Sequence, residues 1–365
     1  MASPKKIYLT VTNDLSYDQR MQRICTSLSN AGYDIVLVGR KLSGSVSLPD
    51  KKYKQVRLRC WFVKGKTFYA EFNIRLFFYL LSKKADAICA IDLDTILSCL
   101  FVSRIKKIKR IYDAHELFCE MKEVVTRPFI YKMWKWVEKY SVPEFKNGYT
   151  VSRPIADEFK KMYGVEYEVI LNVTELRELI PATKKEKYIL YQGAVNEGRS
   201  FETLIPAMKN VEATLIICGN GNFMKQAKDL VKDHMLEQKI IFKGMVSPEE
   251  LKKYTLNAYI GVTLFENTGK SNYYSLANRF FDYMHAGIPQ LCVNYPAYAE
   301  INKECKIALL IKDLSPETIS SGLNNLLTND VLYQEMQNNC MKAREGYNWQ
   351  QEEKKLIYFY NQLFN

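Results

Sequence analysis

Asn278 and Asp282 stand four residues apart in SLANRFFDYMHAGIP (275–289), a spacing that places an amide and a carboxylate on one face of a helix. Phe280, Phe281 and Met284 fall on the opposite, apolar side, Gly287 suits the C-cap, and Pro289 stops continuation. The polar run NTGKSNYYS (267–275) leads into the amino end of this helix, whose free amides can take a phosphate. A carboxylate further along can then accept hydrogen bonds from ribose hydroxyls. An ordinary amphipathic helix has the same pattern, so the rest of the chain has to decide.

Other side chains with chemistry sit where strands end. His115 closes YDAHE (112–116), with Asp113 and Glu116 as weaker candidates, and Asn13 and Asp14 follow the first apolar run. Arg199 comes after YQG (191–193) at a helix start, an unfavourable place for a cation beside the helix dipole. A guanidinium fork there suits a diphosphate. Asp92 and Asp94 form an Asp-x-Asp, but two carboxylates alone are a poor magnesium signature. GNGN (219–222) is only a fragment of a dinucleotide fingerprint, and its glycines, Gly219 first, let backbone approach a nucleotide.

These positions need a scaffold of parallel strands. Short β-branched or aromatic runs alternate with helix-period segments along nearly the whole chain, the pattern of strands joined by crossover helices. The first half reads as strands at 7–12, 34–39, 86–91, 110–115 and 148–152. Between the first two, Met21, Ile24, Cys25, Leu28 and Ala31 recur at helical spacing and Gly32 closes the helix. The second half repeats the scheme at 188–193, 214–219, 239–244, 258–265, 289–293 and 308–311. The expected fold is α/β, with two doubly wound, Rossmann-like parallel-sheet domains facing a central cleft. The expected boundaries are an amino-terminal domain over 1–172, a linker over 173–187, a second domain over 188–345, and a terminal helix over 346–365 packing back on the first domain.

With 365 residues, the chain is long enough for two cores. Nine cysteines without a Cys-x-x-Cys pair and only three histidines signal neither a disulfide framework nor a zinc site, so a reducing cytoplasm is expected. The first twenty residues lack a secretory pattern. The apolar run LFFYLL (76–81) is far shorter than the ~18 residues of a membrane span. The net charge of +12 is unevenly spread: residues 1–172 hold 30 Lys and Arg against 18 Asp and Glu, and the remainder holds 22 against 22. A nucleic-acid binder would fit this charge but shows no recognition motif. An anionic substrate or membrane surface fits as well, and the aromatic, basic segment FYAEFNIRLFFYLLSKK (68–84) suits a bilayer surface.

The stretch SLANRFFDYMHAGIP resembles the donor-binding segment of the glycosyltransferase family 4-like proteins of the GT-B fold. TNDLSYDQRMQRICTSLSNAGYDIVLVGR (12–40), AIDLDT (90–95), YDAHELF (112–118), YTVSRPIADEF (149–159), YQGAVNEGRSFETLI (191–205) and IICGNGN (216–222) match further blocks in the expected order. The resemblance implies transfer of a sugar from a nucleotide-diphosphate donor, UDP- or GDP-linked, with retention of configuration. It implies neither bound metal nor cofactor. The acceptor would be a glycan or lipid-linked molecule in cell-surface polysaccharide or glycolipid synthesis.

His115 and Arg199 would then be catalytic. Asn13, Asp14, Arg199, Gly219, Met245, Lys270, Tyr274, Ser275, Leu276, Asn278, Arg279 and Asp282 would hold the donor, with base contacts made by backbone near 243–246. Asp18, Arg20, Asp92 and Asp94 would face the acceptor. The family's paired acids fall here on Tyr274 and Asp282; Glu266 is out of register. A nucleotide-sugar epimerase and a non-catalytic nucleotide-sugar binder remain the alternatives.

Overall fold

The computed structural model describes residues 3–16, 18–178 and 187–365. The chain folds as two compact units, residues 1–172 with 352–365, and residues 173–351. In the first unit, β1 (Lys6–Thr10), β2 (Asp34–Lys41), β3 (Lys54–Arg59), β4 (Ala87–Ile91), β5 (Lys109–Ala114), β6 (Asn147–Thr150) and β7 (Glu168–Val169) form a parallel sheet in the order β3-β2-β1-β4-β5-β6-β7. In the second, β8 (Tyr188–Gln192), β9 (Thr214–Cys218), β10 (Ile240–Gly244), β11 (Ile260–Thr263), β12 (Gln290–Val293) and β13 (Ala308–Ile311) run parallel in the order β10-β9-β8-β11-β12-β13.

Both orders reverse direction once, between β1 and β4 and between β8 and β11. In open α/β sheets, ligand sites lie at the carboxyl ends of the strands flanking such a switch point. Residues 11–14 and 92–94 follow one pair, and residues 193–199 and 264–277 follow the other.

The first βαβ unit shows how sequence builds the scaffold. Asp18 caps the helix Gln19–Asn30 by accepting from the Met21 amide at 3.0 Å, and Met21, Ile24, Cys25 and Leu28 bury its inner stripe. Gly32, at φ +93°, turns the chain into β2. The strands of the sheet centre are apolar on both sides, as parallel strands covered by helices must be: every residue of β4 is buried.

β3, like the two-residue β7, is a strand that periodicity did not reveal. Its residues KQVRLR read as part of a basic cluster, and it is the sheet's edge, where lysine and arginine discourage pairing with another chain. Residues 352–364 of the helix Trp349–Phe364 pack in the first unit: Ser27 donates to Glu353 at 2.6 Å, the Leu171 amide to Glu352 at 2.8 Å, and Tyr33 to Asn361 at 2.7 Å. Of the expected linker, residues 173–178 join the second unit, where Val173 is buried, and residues 179–186 lie outside the described residues.

Candidate functional site

In the second unit the strand ends of β8 and β11 meet. The Glu266 amide donates to the Gly198 carbonyl at 3.0 Å, which fixes the loop after β11 beside Arg199. The Arg199 guanidinium lies 4.4 Å from the centre of the Phe265 ring. Arg279 approaches the same ring at 4.8 Å and the Tyr191 ring at 4.5 Å. Two guanidinium groups from residues far apart in sequence thus share one buried phenyl ring.

Arg279 is itself buried, and it donates to the Gln192 carbonyl at 2.8 Å. Expected as a donor contact, it places Nη1 on the strand-end carbonyl between two aromatic rings, while its Nε has no hydrogen-bond partner. Leu276 is likewise buried.

The helix Asn278–His285 begins without a side-chain cap and ends through Gly287, at φ +64°, whose following amide on Ile288 reaches back to the Tyr283 carbonyl. Asn278 is exposed and Asp282 half-buried on its polar side, while Phe280, Phe281, Tyr283 and Met284 pack inward. Asp282 accepts from Thr174 at 2.7 Å on one oxygen and from Gln192 at 2.8 Å on the other. Gln192 in turn accepts from Thr255 at 2.7 Å.

This partly buried chain of Thr255, Gln192, Asp282 and Thr174 anchors the helix to the end of β8. Gln192, Thr255 and Thr174 were not anticipated. The signal available for Gln192 was a lone amide ending the apolar strand YILYQ.

Gly219 has a structural reason of its own. At φ +150°, an added Cβ would meet the Gly193 carbonyl oxygen at 1.8 Å. The loops after β8 and β9 interlock through Asn196 and Asn222, each side chain accepting from the other loop's backbone at 3.1 Å. The glycines of GNGN, expected to let backbone approach a nucleotide, also let these two loops pack closely.

Lys270 opens the short helix Lys270–Tyr274, Ser275 donates to the Asn272 carbonyl at 2.8 Å, and Tyr274 packs edge-on against Tyr273. Met245 is 77% exposed just beyond β10.

In the first unit, His115 is held among charges. Its amide donates to Asp92 at 2.9 Å, its Nδ1 lies 3.3 Å from the other Asp92 oxygen, and its Nε2 lies 3.2 Å from Asp113 Oδ2. The last contact is close enough for an ion pair but lacks hydrogen-bond alignment. Burial disfavours a charged imidazole, yet Asp92 and Asp113 outweigh it and the His115 pKa is pushed up to about 9. Burial also lifts Asp92 and Asp94 to about 6, in spite of His115 beside both and the Thr12 hydroxyl 2.5 Å from Asp94. Asp113 is fully buried, and although burial alone raises a carboxyl, Arg20 and His115 hold it below the usual range.

Arg20, expected to face an acceptor, is buried at 4% exposure and pairs with Asp113 at 3.0 Å. Its place is behind His115, because a fully desolvated carboxylate needs a matching cation. Asp92 adopts φ +54°, a strained conformation for a residue with a Cβ, at the point where it supports the imidazole.

Asn13, Asp14 and Asp18 come together with Arg40 and Leu42 around a pocket of about 360 Å³. Asn13 donates to Asp18 at 2.7 Å, and Asp14 accepts from Ser16 and Ser45. Gly39 lets this loop close on β2, since a Cβ there would meet the Asn13 carbonyl at 2.5 Å. Arg40 was not anticipated.

Residues 172–344 match the family model described as glycosyl transferases group 1. An uncharacterized glycosyltransferase of Methanocaldococcus jannaschii is 26% identical over 203 residues, 53% of this chain and 50% of its own length. The O-antigen chain mannosyltransferase RfbU of Salmonella typhimurium is 30% identical over 138 residues, 36% of this chain and 39% of its own. The chain spans about half the length, or less, of these curated relatives.

Among solved structures, sucrose-phosphate synthase from Thermosynechococcus elongatus superposes with a TM-score of 0.83 at 15% identity over 99% of both chains. Anabaena HepE in complex with UDP and glucose gives 0.78 at 11% identity, over 98% of this chain and 99% of its own. The two parallel-sheet units have the fold of these proteins.

Proposed function

We infer, from the match of residues 172–344 to the family model for glycosyl transferases group 1, that the chain is a glycosyltransferase of the GT-B, family 4-like kind. It moves a sugar from a UDP- or GDP-sugar to a glycan or lipid-linked acceptor, with retention and without a metal. The observation that carries this reading is the cationic pole of the second unit: Arg199 and Arg279 against Phe265, beside the uncapped amino end of the helix Asn278–His285.

The departing diphosphate gains charge as the glycosidic bond breaks, and preorganised donors aimed at its oxygens lower that barrier. Arg199 and the helix amides fill that role. Asp282, already accepting two hydrogen bonds, retains lone pairs for ribose hydroxyls. Anabaena HepE, solved in complex with UDP and glucose, supports a nucleotide-sugar donor. His115, held protonated by its carboxylates at neutral pH, donates to a sugar hydroxyl in our reading.

The basic first half meets an anionic acceptor or a cytoplasmic membrane surface. RfbU, named for O-antigen chains, supports a polysaccharide or glycolipid product. No helix among the described residues is long and apolar enough to cross a membrane.

A thermal-shift screen of UDP, GDP and ADP with their common sugars tests the donor: a ligand at 100 times its dissociation constant adds about 2.7 kcal/mol. Stabilisation by none of them removes the reading. Tyr274, where the family carries an acid, favours a second possibility, a binder without turnover; product analysis with each donor separates transfer, epimerisation and binding alone.

A further inference from the structure

Three neighbouring helices of the first unit carry an outward pattern that their own packing does not require. The helix Gly65–Leu81 buries Phe68, Phe72, Leu76 and Leu80 on one stripe, yet exposes Ile74 and Phe78, also four apart, at 59% and 63%. The helix Ile96–Lys106 packs against it and exposes Phe101 and Ile105. The helix Pro128–Ser141 packs against that one and exposes Trp136 and Tyr140.

The pattern is continuous between the last two: the Phe101 and Tyr140 rings are 6.4 Å apart, Trp136 stacks on Tyr140 at 5.6 Å, and Arg104 donates to the Tyr140 hydroxyl at 3.0 Å. A helix on the surface of a soluble protein keeps its outer stripe polar. Three adjacent helices breaking that rule with the same spacing mark a surface that meets something apolar.

The margins of this face are aromatic and cationic. Trp61 is 85% exposed but not loose: its amide donates to Glu71 at 2.9 Å and the Arg75 guanidinium lies 4.7 Å from its ring. Phe129, 68% exposed, has the Lys66 ammonium 4.4 Å from its ring. Residues 61–84 contain five Lys and Arg against one acid, Glu71, and residues 96–110 contain five and no acid. Arg75 neutralises Glu71 at 2.7 Å, and Arg104 and Arg110 both engage Glu144.

A second copy of the chain would bring the same positive field and be repelled, whereas an anionic surface is attracted. Amphipathic rings at the level of lipid headgroups, with lysines reaching outward past them, are what such a surface selects.

We propose that the face formed by the helices Gly65–Leu81, Ile96–Lys106 and Pro128–Ser141, with Trp61 and Phe129 at its margin, rests on an anionic lipid bilayer. This deepens the membrane part of the preceding reading and is independent of its donor site.

Sedimentation of the full chain with vesicles of phosphatidylcholine, with and without phosphatidylglycerol, tests it. Binding is expected only with phosphatidylglycerol and is weakened at ~1 M salt, where the screening length falls to about 3 Å. Phe78→Ser and Trp136→Ser each lower the partition coefficient about tenfold, the loss of one buried ring. Both positions are exposed, so circular dichroism and UDP-induced thermal stabilisation should remain as in the parent, which separates a failed surface from a failed donor site. Absence of binding to anionic vesicles at low salt overturns the proposal, as does binding indifferent to both substitutions. Concentration-dependent dimerisation abolished by the same two changes would assign the face to a second copy and likewise overturn it.

Discussion

Gln192 donates to Asp282 at 2.8 Å from the buried end of β8, while its carbonyl receives Arg279 and its side-chain oxygen receives Thr255. One amide therefore joins the two halves of the cationic pole: the strand-end loop that carries Arg199 and the helix that carries Asp282. Replacing it with leucine keeps the volume and strands both partners. Gln192→Leu should cost about 2–4 kcal/mol in urea unfolding and raise the Kd for UDP, because each unmatched buried polar group costs about 1–3 kcal/mol. Unchanged stability and affinity would remove this residue from the account.

Arg199 is the counterpart, with its guanidinium 4.4 Å from the centre of the Phe265 ring. Arg199→Ala should leave the fold intact by circular dichroism, since a cation over a ring contributes about 0.5–2 kcal/mol. Turnover of the nucleotide sugar that passes the thermal-shift screen should fall about 100- to 1000-fold, the loss typical of one oxyanion donor. Wild-type kcat in this variant would show that the leaving group is stabilised elsewhere.

His115 lies between Asp92 and Asp113, and its charge is a matter of pH. With its pKa raised to about 9 from an ordinary value of 6.5, it contributes stability that is complete below pH 6.5 and disappears as pH rises through about 9. Asp92 and Asp94, lifted to about 6, give the same slope in a lower window: their ionisation between about pH 4 and 6 also weakens the first unit. Asp92→Asn should bring the imidazole down toward 6.5. The chain has only three histidines, so an NMR titration resolves the outcome, and a His115 midpoint that does not move contradicts the assignment.

Arg20 and Asp113 form a fully desolvated pair. Arg20→Met should destabilise the first unit by about 3–5 kcal/mol, because removal of one partner leaves a buried charge. The double variant Arg20→Met with Asp113→Asn should recover part of that loss. A surface arginine would cost almost nothing, and calorimetry distinguishes the two cases.

Gly219 gives a prediction about backbone alone. Gly219→Ala places a Cβ 1.8 Å from the Gly193 carbonyl at a φ that alanine rarely adopts, so the two loops must separate. A loss of more than about 2 kcal/mol in stability of the second unit is expected. A neutral alanine would mean that the loops move apart at no cost.

Much of this was readable from local pattern. Alternating apolar runs and helical stripes specify two doubly wound parallel sheets, since strand and helix periodicities are properties of neighbouring residues. The Gly32 end of the first helix and the Gly287–Ile288–Pro289 stop were legible for the same reason.

The fate of individual cations was not. Arg20 and Arg279 read as ligand contacts in sequence, and both are buried, one by Asp113 from 93 positions away and the other by Tyr191, Phe265 and the carbonyl of Gln192. Gly219 looks like a ligand glycine, and its packing duty shows only in the fold, because the atom that a side chain there would meet belongs to Gly193. Whether a polar group is spent on the fold or left for chemistry depends on partners that only the folded chain brings within hydrogen-bond reach. The sequence alone therefore determined the architecture and the strand ends that carry the candidates, and the tertiary structure decided which side chains there serve the scaffold.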